Sequence, residues 1–206
     1  MENNKYIYTN NNSLSRELCE DIINLFENEE GRYLGVTFNG VDKNIKDTTD
    51  YSIKQEDKKW SKIHSFLNKE LNNNLKSYLK KLNENNCINN SGQLTERIDY
   101  NYFTSERLYF NVFMIQKYNK NEGRYIYHND FMIDHSIKSN RVITYLWYLN
   151  DVNEGGQTVI EDNIKIIPTA GKLLLFPSCW TYPHCGKIPI SDNKYILTGW
   201  IYSKPS

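Results

Sequence analysis

Two segments in the N-terminal half of the chain carry apolar residues at the spacing of an amphipathic helix. The apolar positions are Leu18, Ile22, Leu25 and Phe26 in the first segment, and Ile63, Phe66, Leu67, Leu71, Leu75, Tyr78, Leu79 and Leu82 in the second. Ser13 or Ser15 can cap the first helix. The pattern predicts helices over residues 16–26 and 60–82, preceded by a polar, frayed segment over residues 1–13.

From residue 108 onward the pattern changes to short apolar or alternating runs that are typical of β-strands. These runs cover residues 108–118, 141–150, 164–167, 172–176 and 194–202, and an earlier one covers residues 33–38. Glycine and proline residues separate the runs, and no helical pattern lies between them. Several short strands without intervening helices predict a double-sheet roll, with the two helices packed outside it.

Length and composition narrow the class of protein. A chain of 206 residues fits one domain, in which residues 1–107 support a roll over residues 108–206. Lysines and arginines together number 25, as do aspartates and glutamates, so the formal net charge is zero. This balance gives no indication of a nucleic-acid or membrane partner. No apolar run is long enough to span a bilayer, and the first residues lack the apolar core of a secretory signal. We therefore expect a cytoplasmic protein.

The candidate chemistry centres on His128 and Asp130. Residues two apart on an extended segment point to the same face, so this pair could hold one metal ion, although it could equally be a hydrogen-bonded pair on a loop. His184 follows Asp130 by 54 residues, and two imidazoles with one carboxylate form the facial triad of non-haem Fe(II) oxygenases. Cys179 and Cys185 flank His184, and we interpret them as small apolar residues rather than metal ligands.

The last predicted strand gives independent support. Its alternation places Lys194, Ile196, Thr198 and Trp200 on one face. An unpaired ammonium is costly to bury, so an inward-facing Lys194 would need an anion in the roll, such as a dicarboxylate cosubstrate. A solvent-exposed lysine at the mouth of the strand is the alternative. The position of Lys194, ten residues after His184, favours the first interpretation.

Taken in order, these features resemble the Fe(II)/2-oxoglutarate dioxygenases, and within them the prolyl 4-hydroxylase catalytic domain. The resemblance covers residues 108–206 and rests on Tyr118, Gly123, Tyr125, His128-Asn129-Asp130, the strand from Arg141 to Asp151, Gly155-Gly156, His184-x-Gly186, Lys194 and Trp200. The fold that it implies is mainly β with flanking helices, a double-stranded β-helix of the cupin-like jelly-roll type.

The resemblance also implies a role for each site residue. The catalytic residues would be His128, Asp130 and His184, as the iron ligands, and Lys194, as the partner of the C5 carboxylate of 2-oxoglutarate. Tyr118, Tyr148 and Thr198 would join Lys194 in binding this cosubstrate, and Arg141 and Trp200 would lie near the substrate. The implied cofactors are Fe(II), 2-oxoglutarate and O2, with ascorbate as reductant.

The reaction implied by the resemblance is hydroxylation of a prolyl residue in a peptide or protein, with decarboxylation of 2-oxoglutarate to succinate. Two alternatives stay open: the same chemistry on a free amino acid, another side chain or a nucleobase, and a non-catalytic metal-binding module. Residues 186–202 contain no arginine, which argues against the nucleic-acid repair branch, and the intact triad with Lys194 argues against the module. We expect the polar loops over residues 40–50 and 92–107 to select the substrate.

Overall fold

The computed structural model of the protein describes residues 4–54, 56–84, 107–110, 112–134 and 138–203. This part of the chain contains two helices, α1 (Arg16–Glu27) and α2 (Ser61–Glu84). Its strands are β1 (Tyr8–Asn10), β2 (Tyr33–Leu34), β3 (Lys46–Asp47), β4 (Thr49–Ile53), β5 (Leu108–Tyr109), β6 (Phe113–Tyr118), β7 (Arg124–His128), β8 (Ile133–Asp134), β9 (Ser139–Tyr148), β10 (Thr158–Ile160), β11 (Ile164–Ile166), β12 (Leu173–Pro177), β13 (His184–Gly186) and β14 (Lys194–Ser203).

The strands form two antiparallel sheets. The larger sheet has the order β1-β12-β9-β14-β6-β4-β2, with β5 beside β14 and β8 beside β9, and the smaller sheet has the order β11-β10-β13-β7-β3. Late in the chain the strands alternate between sheets, since β12 and β14 lie in the larger sheet and β13 lies in the smaller. The predicted jelly roll with flanking helices is confirmed.

Alternate side chains of β9 belong to two different apolar cores. Tyr145 and Trp147 pack in a cluster with the buried residues of both helices. Leu146 and Tyr148 belong to a second cluster that includes Ile160 of the smaller sheet. Because successive side chains of a strand point to opposite faces, the helices cover the outer face of the larger sheet. Its inner face is left for the interior of the roll.

Both helices lie where the apolar pattern predicts them. The hydroxyl oxygen of Ser15 accepts a hydrogen bond from the backbone N–H of Leu18 at 3.1 Å, so Ser15 is the N-cap of α1. The second helix begins at Ser61 and ends at Glu84, close to the predicted range of 60–82. Within the described residues, neither helix has the length and apolar character needed to cross a membrane.

The prediction that residues 1–13 are frayed is wrong for residues 4–13, the part of this segment that the structure describes. Strand β1 lies at the edge of the larger sheet, where Tyr8 is paired with Leu175. The hydroxyl of Tyr8 and the side-chain amide of Asn10 both donate to Oδ1 of Asn74 on α2, at 3.2 and 2.8 Å. Polar residues form this strand because the helix supplies their hydrogen-bond partner, and that partner is 64 to 66 residues distant in the chain.

The predicted strand over residues 33–38 is too long, because regular pairing ends at Leu34. The backbone groups of Thr37 and Gly40 hydrogen-bond to each other, and Gly40 has a φ of 92° that favours glycine. The polar region over residues 40–50 was expected to be a loop, but it contains β3 and the start of β4. Of the second predicted loop, residues 92–107, all but Arg107 lie outside the described residues.

Candidate active site

Two neighbouring strands of the smaller sheet bring the predicted triad together. His128 is the last residue of β7 and is paired with His184, the first residue of β13. Asp130 follows His128 by two residues, and one side-chain nitrogen or oxygen from each of the three residues lies within 4.8 Å of the others. Nε2 of His184 is 3.4 Å from Oδ2 of Asp130, and Nε2 of His128 is 3.8 Å from Oδ1. In the described part of the chain, this is the one cluster of histidine, cysteine and acidic side chains with metal-binding geometry.

Hydrogen bonds to backbone carbonyls orient both imidazoles. Nδ1 of His128 is 2.8 Å from the carbonyl of Ile126, and Nδ1 of His184 is 3.1 Å from the carbonyl of Tyr182. A carbonyl can only accept, so each Nδ1 carries the hydrogen and each Nε2 presents a lone pair to the centre of the cluster. The ring of Tyr125 stacks on that of His128 at 3.5 Å, which further fixes its orientation.

The carboxylate of Asp130 is held from the larger sheet. Thr144 of β9 donates to its Oδ2 at 2.7 Å, and the hydroxyl of Ser178 lies 2.9 Å from that of Thr144. The single hydroxyl hydrogen of Thr144 goes to the carboxylate, so Ser178 is the donor in the second bond. The sequence analysis missed Thr144, although it shares the inward face of β9 with Leu146 and Tyr148.

The ionisation of the cluster suits a divalent metal. Burial and the charge of His184 lower the pKa of His128 to about 4. Burial acts to raise the pKa of Asp130, but the charges of His184 and His128 and the Thr144 hydrogen bond hold that pKa below its ordinary value. At neutral pH the cluster therefore presents a neutral His128 imidazole and an ionised carboxylate, the forms in which these groups bind metals.

The triad and Lys194 line one cavity inside the roll, together with Tyr118, Thr158, Gly186, Thr198 and Trp200. Lys194 is 1% exposed, and its Nζ donates to the carbonyl of Gly156 at 3.1 Å. The ammonium also lies 3.8 Å from the centre of the Tyr118 ring. Burial lowers the pKa of Lys194 to about 7, and no carboxylate of the described residues offsets that effect. The expected inward orientation of Lys194 is therefore observed.

A glycine keeps space beside this ammonium. A Cβ atom at Gly186 would lie 3.3 Å from Nζ of Lys194 and 3.2 Å from Cε1 of Tyr118. A buried ammonium without a counter-charge, next to a position where a side chain would intrude, fits the carboxylate of a small ligand.

The predicted cosubstrate residues differ in what their hydroxyl groups do. Tyr118 lines the cavity and donates to Gln116 Oε1 at 3.2 Å. Thr198 lines it too, but donates to the backbone carbonyl of Tyr145 at 2.7 Å. Tyr148 lies behind the lining and donates to Oγ1 of Thr158 at 2.7 Å. Thr158 accepts that bond, so its own hydroxyl hydrogen is available to the cavity. It follows Gly155-Gly156-Gln157, a segment that the sequence analysis singled out without assigning a role to Thr158.

The two predicted substrate residues contact each other. The guanidinium carbon of Arg141 lies 3.5 Å from the centre of the Trp200 ring, in cation–π geometry, and Nε of Arg141 donates to the hydroxyl of Tyr202 at 3.3 Å. Trp200 lines the same cavity as the triad. Its buried Nε1 has no partner at full hydrogen-bond geometry within the described part of the chain, but it lies near enough to Asp130 to help lower the pKa of that carboxyl. The pair is therefore adjacent to the triad, with the indole N–H of Trp200 close to the Asp130 carboxylate.

Residues 113–202 match the family model of the 2OG-Fe(II) oxygenase superfamily. This range contains the three clustered residues and Lys194. No curated protein sequence matches the chain.

The chain is also similar to solved structures of prolyl hydroxylases. A viral collagen prolyl hydroxylase from Paramecium Bursaria Chlorella virus-1, in complex with 2OG, gives a TM-score of 0.65 at 17% identity, over 97% of each chain. A prolyl hydroxylase from Trichoplax adhaerens, in complex with a hypoxia inducible factor peptide fragment, gives 0.63 at 19% identity, over 98% of this chain and 84% of that one. A Pseudomonas putida prolyl-4-hydroxylase gives 0.60 at 16% identity, over 95% and 91%. At these identities the similarity establishes the fold.

Proposed function

We propose that the protein is a member of the 2OG-Fe(II) oxygenase superfamily, whose family model matches residues 113–202, and that it hydroxylates a prolyl residue in a peptide or protein with Fe(II) and 2-oxoglutarate. The observation that carries the proposal is a single cavity lined by His128, Asp130 and His184 and by the buried, uncompensated ammonium of Lys194. In the overall reaction, 2-oxoglutarate and O2 convert the substrate C–H bond to C–OH and yield succinate and CO2.

The triad would hold the iron. The donor set fits Fe(II), because it consists of two imidazoles with free Nε2 lone pairs and one ionised carboxylate. When bound, Fe(II) and 2-oxoglutarate supply the reductive activation of O2 that an unactivated C–H bond requires. Thr144 keeps the Asp130 carboxylate in place through its hydrogen bond to Oδ2. We include ascorbate as the reductant that maintains ferrous iron.

The remaining residues would bind and orient the reactants. Lys194 would form a charge-assisted hydrogen bond with the C5 carboxylate of 2-oxoglutarate, and Thr158 and Thr198 lie along the same cavity. Tyr118 contributes the ring surface beside the ammonium. Arg141 and Trp200 would contact the substrate, and the indole N–H of Trp200 would also help to hold the Asp130 carboxylate.

A prolyl peptide is the proposed substrate because the solved structures that share this fold include prolyl hydroxylases. One of these structures contains a bound peptide fragment. A free amino acid or another side chain is the second candidate, since the triad and Lys194 are common to both reactions. We further propose that residues 1–107 support the roll of residues 108–206 within one domain.

Turnover of 2-oxoglutarate tests the class of reaction. Purified protein with 2-oxoglutarate, Fe(II), ascorbate and O2 should release succinate, whereas His184→Ala should release none. Lys117→Met is a matched control, because Lys117 lies on β6 outside the cavity, where it is paired with Glu27. Absence of succinate from the wild-type protein would refute the proposed chemistry.

The substrate class needs a second measurement. A library of proline-containing peptides should include members that increase succinate release and gain the mass of one oxygen atom. Peptides in which alanine replaces proline should not gain that mass. Oxygen incorporation into free amino acids but not into peptides would favour the second candidate.

A further inference from the structure

A buried ion pair lies behind the cavity, in the region that the sequence suggested was a polar loop. Nζ of Lys46 on β3 is 2.6 Å from Oδ2 of Asp50 on β4, and the two side chains are 3% and 1% exposed. Strand β3 belongs to the smaller sheet and β4 to the larger, so the pair joins the two sheets. Breaking such a pair is costly, because it leaves an uncompensated buried charge.

Gln116 connects this ion pair to the cavity. Nε2 of Gln116 is 3.4 Å from Oδ2 of Asp50, and the hydroxyl of Tyr118 is 3.2 Å from Oε1 of Gln116. An ionised carboxylate can only accept, so the amide nitrogen of Gln116 must face Asp50 and its oxygen must face Tyr118. The tyrosine therefore donates its hydrogen to Gln116, and its ring remains beside the ammonium of Lys194 at 3.8 Å.

We propose that Gln116 is a positioning residue for 2-oxoglutarate binding: held by the Lys46–Asp50 ion pair, it fixes the hydroxyl of Tyr118 and so keeps the ring against Lys194. The inference rests on the proposed function, because it assigns the Lys194 cavity to the cosubstrate. Gln116 has no role in the resemblance or in the family match. Its burial at 4% exposure and its hydrogen bonds with Asp50 and Tyr118 are the grounds for the assignment.

Loss of Gln116 should disturb the ring of Tyr118 and leave the triad in place. Without Gln116, the hydroxyl of Tyr118 would be buried without an acceptor, and the ring would turn to find one. The Lys194 ammonium would then lose the aromatic face that lies 3.8 Å from it. The cosubstrate would meet a displaced ring and a less fixed ammonium. The triad would be unaffected, because none of its hydrogen bonds within the described residues involves Gln116.

A double-mutant cycle on 2-oxoglutarate binding tests this assignment. Calorimetric titrations would use protein loaded with Mn(II), a redox-inert substitute for Fe(II), so that no turnover occurs. Gln116→Met and Tyr118→Phe should each raise the Kd for 2-oxoglutarate about 3- to 10-fold, which corresponds to the loss of one hydrogen bond. Because both act through the same ring, the double variant should be no weaker than the weaker single variant.

Two outcomes would overturn the assignment. One is an unchanged Kd in folded Gln116→Met protein, and the other is a double variant in which the two fold-changes multiply. Affinity for Mn(II) should stay unchanged in Gln116→Met, since a general loss of structure would lower it as well. Lys117→Met is the matched control on the same strand and should leave the Kd for 2-oxoglutarate unchanged.

A second variant covers the case in which Gln116→Met does not fold. Replacing both charges in Lys46→Met/Asp50→Leu removes the group that holds Gln116 without leaving a buried charge. At saturating Mn(II) this variant should raise the Kd for 2-oxoglutarate to a similar extent, and an unchanged Kd would overturn the assignment. If wild-type protein does not bind 2-oxoglutarate at all, the proposed function fails instead.

Discussion

Replacing Lys194 with methionine should stabilise the metal-free protein while removing its affinity for 2-oxoglutarate. Burial lowers the pKa of Lys194 from 10.5 to about 7. At about 1.4 kcal/mol per pKa unit, keeping this side chain in the folded cavity at pH 7 costs about 4 kcal/mol. The hydrogen bond to the carbonyl of Gly156 returns about 1 kcal/mol of that. The variant should therefore gain about 3 kcal/mol at pH 7.

The pH dependence of this gain has a defined sign. Because the folded-state pKa lies below the ordinary value, the unfolded chain holds more protons between pH 7 and pH 10.5. The destabilisation caused by Lys194 is therefore greatest at and below pH 7, and it shrinks as the pH rises towards 10.5. The methionine variant has no such dependence, so its advantage over the wild-type protein should shrink as the pH rises towards 10.

Urea unfolding of the metal-free proteins at pH 7 and pH 9 measures both effects. Lys117→Met is the control, because its ammonium lies 2.7 Å from Glu27 and is 20% exposed, so its loss should change stability by about 1 kcal/mol or less. A Lys194→Met protein that is less stable than wild type at pH 7 would refute the reasoning. So would a difference that does not shrink at pH 9.

The remaining predictions concern metal and cosubstrate affinity. Thr144→Val should weaken Mn(II) binding about 10-fold or more, because Asp130 loses the donor that orients it. Gly186→Ala should weaken 2-oxoglutarate binding about 10-fold, because the added methyl group lies 3.2 to 3.3 Å from Tyr118 and Lys194. In the wild-type protein, the affinity for 2-oxoglutarate should fall about 10-fold per pH unit above pH 7, because binding requires the Lys194 ammonium. Titration calorimetry measures all three.

The two substitutions each have a control variant, and all three predictions have a result that would contradict them. Thr169→Val removes a hydroxyl that donates to the carbonyl of Ile167 outside the cavity, and it should leave Mn(II) affinity unchanged. Gly31→Ala adds a methyl group at an ordinary contact distance of 3.6 Å and should leave 2-oxoglutarate affinity unchanged. Affinities equal to wild type in the Thr144 or Gly186 variant would contradict the assigned contacts. A pH-independent Kd would show that the ammonium is not the group that binds the dicarboxylate.

The clustering of the triad could be predicted from the sequence, because its parts have local signals. His128 and Asp130 lie two residues apart on an extended segment and so share a face, and the inward face of the last strand identifies Lys194. The Thr144 contact could not be predicted in the same way. It joins β9 of the larger sheet to the segment that follows β7 of the smaller sheet, and no local pattern specifies that these two parts of the chain meet.

Lys46 and Asp50 show why polar segments were misinterpreted. A lysine and an aspartate within an Asn-rich, charged stretch have the composition of a solvated loop. Their burial becomes possible only when two sheets close around both side chains and each charge meets the other at 2.6 Å. The same holds for β1, whose polar residues are satisfied by Asn74 on a distant helix. Sequence periodicity reports burial of apolar residues, and it gives no signal for buried polar groups that satisfy one another.

The cavity contains two sites that require ligands of opposite charge. Around Asp130 there are free imidazole lone pairs and an ionised carboxylate, which together require a cation, whereas Lys194 presents an ammonium that requires an anion. A metal ion alone leaves the ammonium uncompensated, and a dicarboxylate alone brings further negative charge near Asp130. A cation together with a dicarboxylate satisfies both parts. The arrangement of charges in the cavity therefore favours binding of the two as a pair, and each should increase the affinity for the other by the same factor.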